Sequence, residues 1–394
     1  MSRPTLELAD IVRQHGEAYR QTHDLPLEHL RPLRAIELCR TAALGGHVEQ
    51  CGHCPYTHIS YNSCRNRHCP KCQSLDRARW LAQRQSELLP VPYFHVVFTL
   101  PQQVADLALQ NKKIIYGILF RATAETLQTI ARDPKHLGAQ IGFFAILHTW
   151  GQTLTHHPHL HCVVPGGGIT ADDQWVNSKP DFFLHVKVLS KLFRKLFLEM
   201  LGHAFLKKQL QFHGKLQPLH QKTVFVKYLA PLRKIKWVVY CEPPFGSPQN
   251  VLEYLGRYTH RVAIANERLV SCDATSVSFR WKDYKHGSRQ QVLTLAPQEF
   301  LRRLLMHTIP SGFQRIRHYG LFSNRRRKLE LDHCRSLIAT PISALLPNVS
   351  KDFRDLFQYL TKVDLRVCPR CGIGHMRVTE LLQPVRYPAG VNSS

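Results

Sequence analysis

The chain has 394 residues, with 53 Lys plus Arg against 28 Asp plus Glu, for a formal net charge of +25. Apolar residues make up 44% and charged residues 21%, a globular composition that excludes a disordered tail or a fibrous repeat and suits two to three domains. No stretch reaches the roughly 18 uninterrupted apolar residues of a membrane span. The opening MSRPTLELAD has no secretory core, so a cytoplasmic, nucleoid-associated protein is expected. So large a positive charge calls for a polyanionic partner, with nucleic acid the first choice.

In chain order, three segments differ in composition: 1–90, 91–265 and 266–394. The first holds six of the twelve cysteines, between Cys39 and Cys72. Cys51-Gly-His-Cys54 and Cys69-Pro-Lys-Cys72 are two C-x-x-C knuckles separated by fourteen residues. Two such turns converge four thiolates into the tetrahedral sulfur cage that zinc prefers, so Cys51, Cys54, Cys69 and Cys72 are expected to hold one structural Zn2+. A small basic module with little core needs that metal to fold. Cys64 and several nearby histidines leave room for another choice of ligands. Cys39, on the apolar pattern AIELCRTAAL, reads as a buried helix thiol.

The middle segment alternates strand-like runs (FHVVFTL, IGFFAILHTW, HCVVPGGG, KWVVYC) with helix-like ones such as KVLSKLFRKLFLEMLGHAFLKK, the pattern of an α+β domain. Within HTWGQTLTHHPHLHCVV, a strand sends His159 and His161 to one face and Leu160 and Cys162 to the core. Paired imidazoles can hold a divalent ion, Mg2+ or Mn2+, with positions open for substrate oxygens. The preceding strand would pair with this one through a turn at 153–158. Its own same-face set, His148, Trp150 and Gln152, offers a third ligand. Gln152, nearer the turn, is preferred, and His148 is the alternative.

Further on stands VLEYLGRYTHR. A helix there puts Tyr254 and Tyr258 one turn apart on one face, with β-carbons about 5–6 Å apart. Two phenols so placed can attack phosphates in succession, and Arg257, His260 and Arg261 supply positive charge beside them. An ordinary buried stripe of Val251, Leu255, Tyr258 and Val262 reads equally well. The last segment begins with a hairpin (SVSFRW, then QVLTLA) and a helix, PQEFLRRLLMHT. Its basic run, Arg325, Arg326, Arg327 and Lys328, suits phosphate contacts. Cys368 and Cys371 with His375 form half of a second possible zinc site, with His333 and Cys334 as possible partners.

In combination, NSCRNRHCPKCQ, HVVFTLP, HPHLHCVVPGGG, YLGRYTHRVAI and GFQRIRHYGLFSNRRR resemble the rolling-circle insertion-sequence transposases of the HUH class with a tyrosine pair, the insertion-sequence family numbered ninety-one. The resemblance implies an antiparallel sheet flanked by helices, preceded by a zinc-binding module and followed by a basic region. It also implies a nickase and ligase of single-stranded DNA ends that works through a 5′-phosphotyrosine, with Tyr254 as the first nucleophile. A plasmid or phage replication initiator shares this chemistry. A zinc-finger DNA-binding regulator without catalysis is the reading from another class.

Overall fold

In the computed structural model, residues 6–72, 80–81, 84, 87–180, 183–242, 250–251, 263–284, 286–338, 352, 354–355, 357–358 and 363–385 are described. The chain opens with helix α1 (Leu8–Thr22), whose apolar Leu8, Ile11, Val12 and Tyr19 are buried at helical spacing. Its start is closed by a capping box in which the Glu7 amide donates to the Asp10 carboxylate at 2.9 Å. Helix α2 (Leu27–Leu38) begins directly after Pro26, and the hairpin β1 (Gly46–Cys51) and β2 (Thr57–Tyr61) follows.

The middle of the chain supplies β3 (Tyr93–Thr99), α3 (Ala105–Gln110), α4 (Lys112–Arg132), β4 (Gly142–Trp150) and β5 (His156–Pro165). It continues with a small ladder of β6 (Gly167–Ile169) and β7 (Trp175–Asn177), then α5 (Val186–Leu206), α6 (Lys222–Leu232) and β8 (Val239–Glu242). The remainder holds a meander of β9 (Leu269–Cys272), β10 (Val277–Asp283) and β11 (Arg289–Leu295), then α7 (Pro297–Met306), β12 (Ile316–Gly320), α8 (Arg327–Leu337) and β13 (Met376–Leu382).

These elements form two discontinuous units instead of the three consecutive segments expected. One unit takes its residues from 1–83, 260–308 and 346–394; the other takes them from 84–259 and 309–345. The reason lies in strand and helix pairing. β13 adds antiparallel to β1, and α7 packs on α1, so the late chain returns to the amino-terminal unit. β12 instead pairs antiparallel with β4 and becomes an edge of the middle sheet. It ends at Gly320 with φ 58°, where a β-carbon would collide with the Ile141 carbonyl oxygen, so only glycine fits.

The middle unit is built on a five-stranded antiparallel sheet in the order β12-β4-β5-β3-β8. One face carries Phe94, Val96 and Phe98 of β3, Phe143, Ala145 and Leu147 of β4, and Leu160, Cys162 and Val164 of β5. These side chains are buried against α4 and α5, where Phe98 meets Phe193 edge-on at 5.1 Å between ring centroids. The expected α+β class, an antiparallel sheet flanked by helices, is therefore the architecture. The opposite face carries His95 of β3, His148 of β4, and His159 and His161 of β5.

Candidate functional site

Strand alternation places His159 and His161 together on the face opposite Leu160 and Cys162, as the sequence pattern required. The register then decides the third imidazole. His148 lies directly opposite His159 across the β4–β5 pair, and one nitrogen from each of His148, His159 and His161 falls within 4.8 Å of the others. Gln152, the preferred third ligand, lies past the end of the strand. A bulge between His148 and Trp150 ends the simple alternation, and the strand itself stops at Trp150. Gln152 thus sits in the turn beyond the Trp150–His156 pair, within a loop closed by the Gly151 amide donating to Thr155 O at 2.9 Å.

Two histidines of the trio are oriented through their second nitrogens. His159 Nδ1 lies 2.6 Å from the His157 carbonyl oxygen, so it carries the proton and Nε2 keeps the lone pair. His161 Nδ1 lies 2.7 Å from Nε2 of His95, and His95 Nδ1 lies 2.8 Å from a Glu242 carboxylate oxygen. Glu242 can only accept from His95, whose Nε2 then accepts from His161 Nδ1–H. That order leaves His161 Nε2 as the metal-binding nitrogen. The hydrogen bond from His95 holds the Glu242 carboxyl below the usual carboxylate range. Sequence reading missed both His95 and Glu242. The available signal was the histidine inside HVVFTLP, which shares a sheet face with Val97, the direct partner of His161.

Burial pulls the His159 pKa down to about 4 and that of His161 well below its ordinary value. Both imidazoles are therefore neutral at physiological pH, with lone pairs available to a cation. Three imidazole nitrogens converging from two adjacent strands fit a divalent metal with open coordination positions.

The cysteines group differently from the sequence expectation. Cys51, Cys54, Cys69 and Cys72 do not form one cage. Cys69 and Cys72 converge with Cys39 and Cys64, at Sγ–Sγ distances of 3.5 Å for Cys64–Cys72 and 3.6 Å for both Cys39–Cys72 and Cys39–Cys69. Cys51 and Cys54 converge with Cys368 and Cys371. Four sulfurs about 2.3 Å from a tetrahedral zinc stand about 3.8 Å apart, so the first group fits zinc. Cys39, read as a core thiol, belongs to it because the end of α2 delivers its buried sulfur to that group. His375 contributes its backbone carbonyl to the Gly52 amide and is outside the thiol group. His333 pairs with Asp173 at 2.7 Å, and Cys334 is buried and belongs to neither group.

Tyr254, Tyr258, Arg257, His260 and Arg261 lie outside the described residues. In the basic run, Arg325 is exposed. Arg326 pairs with Glu330 at 3.3 Å while remaining 70% exposed. Arg327, expected on DNA, turns inward and pairs with Glu87 at 3.2 Å, with its side chain 23% exposed. Its charge is used to hold a carboxylate that also pairs with Arg84 at 2.9 Å.

Comparison with known proteins adds independent findings. Residues 142–329 match a family model described as "Putative transposase", and residues 11–100 match one described as "Transposase zinc-binding domain". "Putative transposase y4qJ" of Sinorhizobium fredii is 56% identical over 391 residues, covering 98% of each chain. "Transposase for insertion sequence element IS801" of Pseudomonas savastanoi pv. phaseolicola is 28% identical over 291 residues, 73% of this chain and 68% of its own. Among solved structures, the metal-bound conjugative relaxase TrwC in complex with oriT DNA matches at a TM-score of 0.25 and 17% identity. That match covers 45% of this chain and 66% of the relaxase.

Proposed function

The chain belongs to the transposases of the insertion-sequence 91 family, and from that premise we propose that it nicks and rejoins single-stranded element ends through a 5′-phosphotyrosine. The reading is supported by the histidine trio on the polar face of the sheet, with two of its tautomers set by His157 and by the His95–Glu242 pair. His148, His159 and His161 would hold Mg2+ or Mn2+, which supplies Lewis-acid polarisation of a phosphate oxygen.

In this reading the Tyr254 phenol oxygen bonds to the scissile phosphorus while the bond to the 3′-oxygen breaks. The phenol proton is given up and the leaving 3′-hydroxyl takes one. The 3′-hydroxyl later reverses the step, which makes the enzyme a ligase as well as a nickase. Tyr258 acts on the second strand, so that cleavage need not wait for the first tyrosine to be freed. The thiol-rich unit and exposed basic groups, among them Arg325 and Arg326, would hold DNA by phosphate contacts. Arg257, His260 and Arg261 would supply positive charge beside the two tyrosines. We place the protein in the cytoplasm, at the nucleoid; among the described residues no helix is long and apolar enough to cross a membrane.

The reading is tested with purified protein, single-stranded DNA carrying an element end, and Mn2+. His159→Ala or His161→Ala should abolish cleavage while DNA binding persists, because the trio acts at one phosphate and not on the bulk of the strand. Cleavage surviving in the double variant would remove the histidines from the chemistry.

A further inference from the structure

We propose that Cys51, Cys54, Cys368 and Cys371 hold a second structural zinc, which clasps the carboxy-terminal segment to the amino-terminal strand pair. Cys51 Sγ lies 3.7 Å from Cys371 Sγ, and Cys54 Sγ lies 3.8 Å from Cys368 Sγ. These are the separations expected of thiolates around one tetrahedral zinc, about 3.8 Å. All four sulfurs lie within 4.8 Å of one another. Each knuckle is also prepared for charged sulfur. The His53 amide donates to Cys51 Sγ at 3.3 Å, and the Gly374 amide donates to Cys371 Sγ at 3.3 Å. A β-carbon at Gly374 would fall 2.4 Å from Cys51 Sγ, so that position must be glycine for the two turns to meet.

The surrounding sheet supplies the reason for a metal. β1 pairs with β2 on one side and β13 on the other, yet Gly46 and Cys51 are the only buried residues in the three strands. A ribbon without an apolar core cannot hold a strand contributed from more than 300 residues away in the chain, and a zinc cage can. The segment matched by the zinc-binding family model ends at residue 100, so it contains the first thiol group and only half of this one. A consequence follows for synthesis: the clasp closes only on chains extended past Cys371.

Metal analysis of the full chain should find two zinc ions. Cys371→Ser should lose one and keep the other, Cys64→Ser should lose the complementary one, and Cys371→His, which restores a ligand, should keep both. Alkylation of the wild-type protein needs no variant. Cys51, Cys54, Cys368 and Cys371 should be protected together and become reactive together when a chelator is added. One zinc per wild-type chain, iron in its place, or Cys368 and Cys371 alkylated while Cys51 and Cys54 stay protected would overturn the proposal.

Discussion

A histidine binds metal through one nitrogen, and the partner of the other nitrogen sets its tautomer and aim. At His161 that partner is His95, itself held by Glu242, in a buried line that ends on a carboxylate. His95→Ala should therefore weaken Mn2+ binding by about 10–100-fold, the usual cost of losing such an orienting group. Titration calorimetry on the wild type and the variant measures it, and unchanged affinity would mean that the line serves only packing. His159 and His161 were legible as a pair because two residues on a strand share a face. His95 and Glu242 were not, because they stand 147 residues apart and only the β3–β8 register brings them together. The register that sets His148 opposite His159, with a bulge just beyond, is likewise contained in no periodicity.

Burial depresses the pKa of the four histidines of β5, and that has a consequence for the whole element. Burial holds His156 and His159 at about 4, whereas free imidazole titrates near 6.5. Between those values the unfolded chain takes up protons that the folded hairpin excludes. Stability is thus full above about pH 6.5 and falls as the pH drops toward 4. Thermal unfolding of protein with the trio free of metal should show the midpoint falling across this window, and less steeply in His156→Gln. Equal slopes in the two proteins would contradict the assignment. His156 also hydrogen-bonds the Tyr116 hydroxyl at 2.9 Å, which ties the hairpin to α4. The pairing of these strands was legible from their alternation, as were α5 and the β10–β11 hairpin. The turn was placed too late: β5 already begins at His156, after a tight loop in which Leu154 adopts φ 60°.

Across the whole molecule, the chain was expected to divide in sequence order, and it does not. Two C-x-x-C knuckles fourteen residues apart look like mates, but each is completed from elsewhere: one by Cys39 and Cys64, the other by Cys368 and Cys371. Closing a loop about twentyfold longer costs roughly 3 kcal/mol more, less than a structural zinc contributes, so local spacing is a poor guide to partners. The two units nevertheless separate the labour that the sequence suggested, with thiol cages in one and the histidine face in the other. The proposed nickase forms a covalent bond at a tyrosine, which mass spectrometry of the protein trapped on single-stranded end DNA with Mn2+ detects. A nucleotide should appear on Tyr254 and disappear in Tyr254→Phe, while Tyr258→Phe should still form one adduct but impair complete transposition in cells. Cleavage without any protein-bound nucleotide, or an adduct that persists in Tyr254→Phe, would contradict this chemistry.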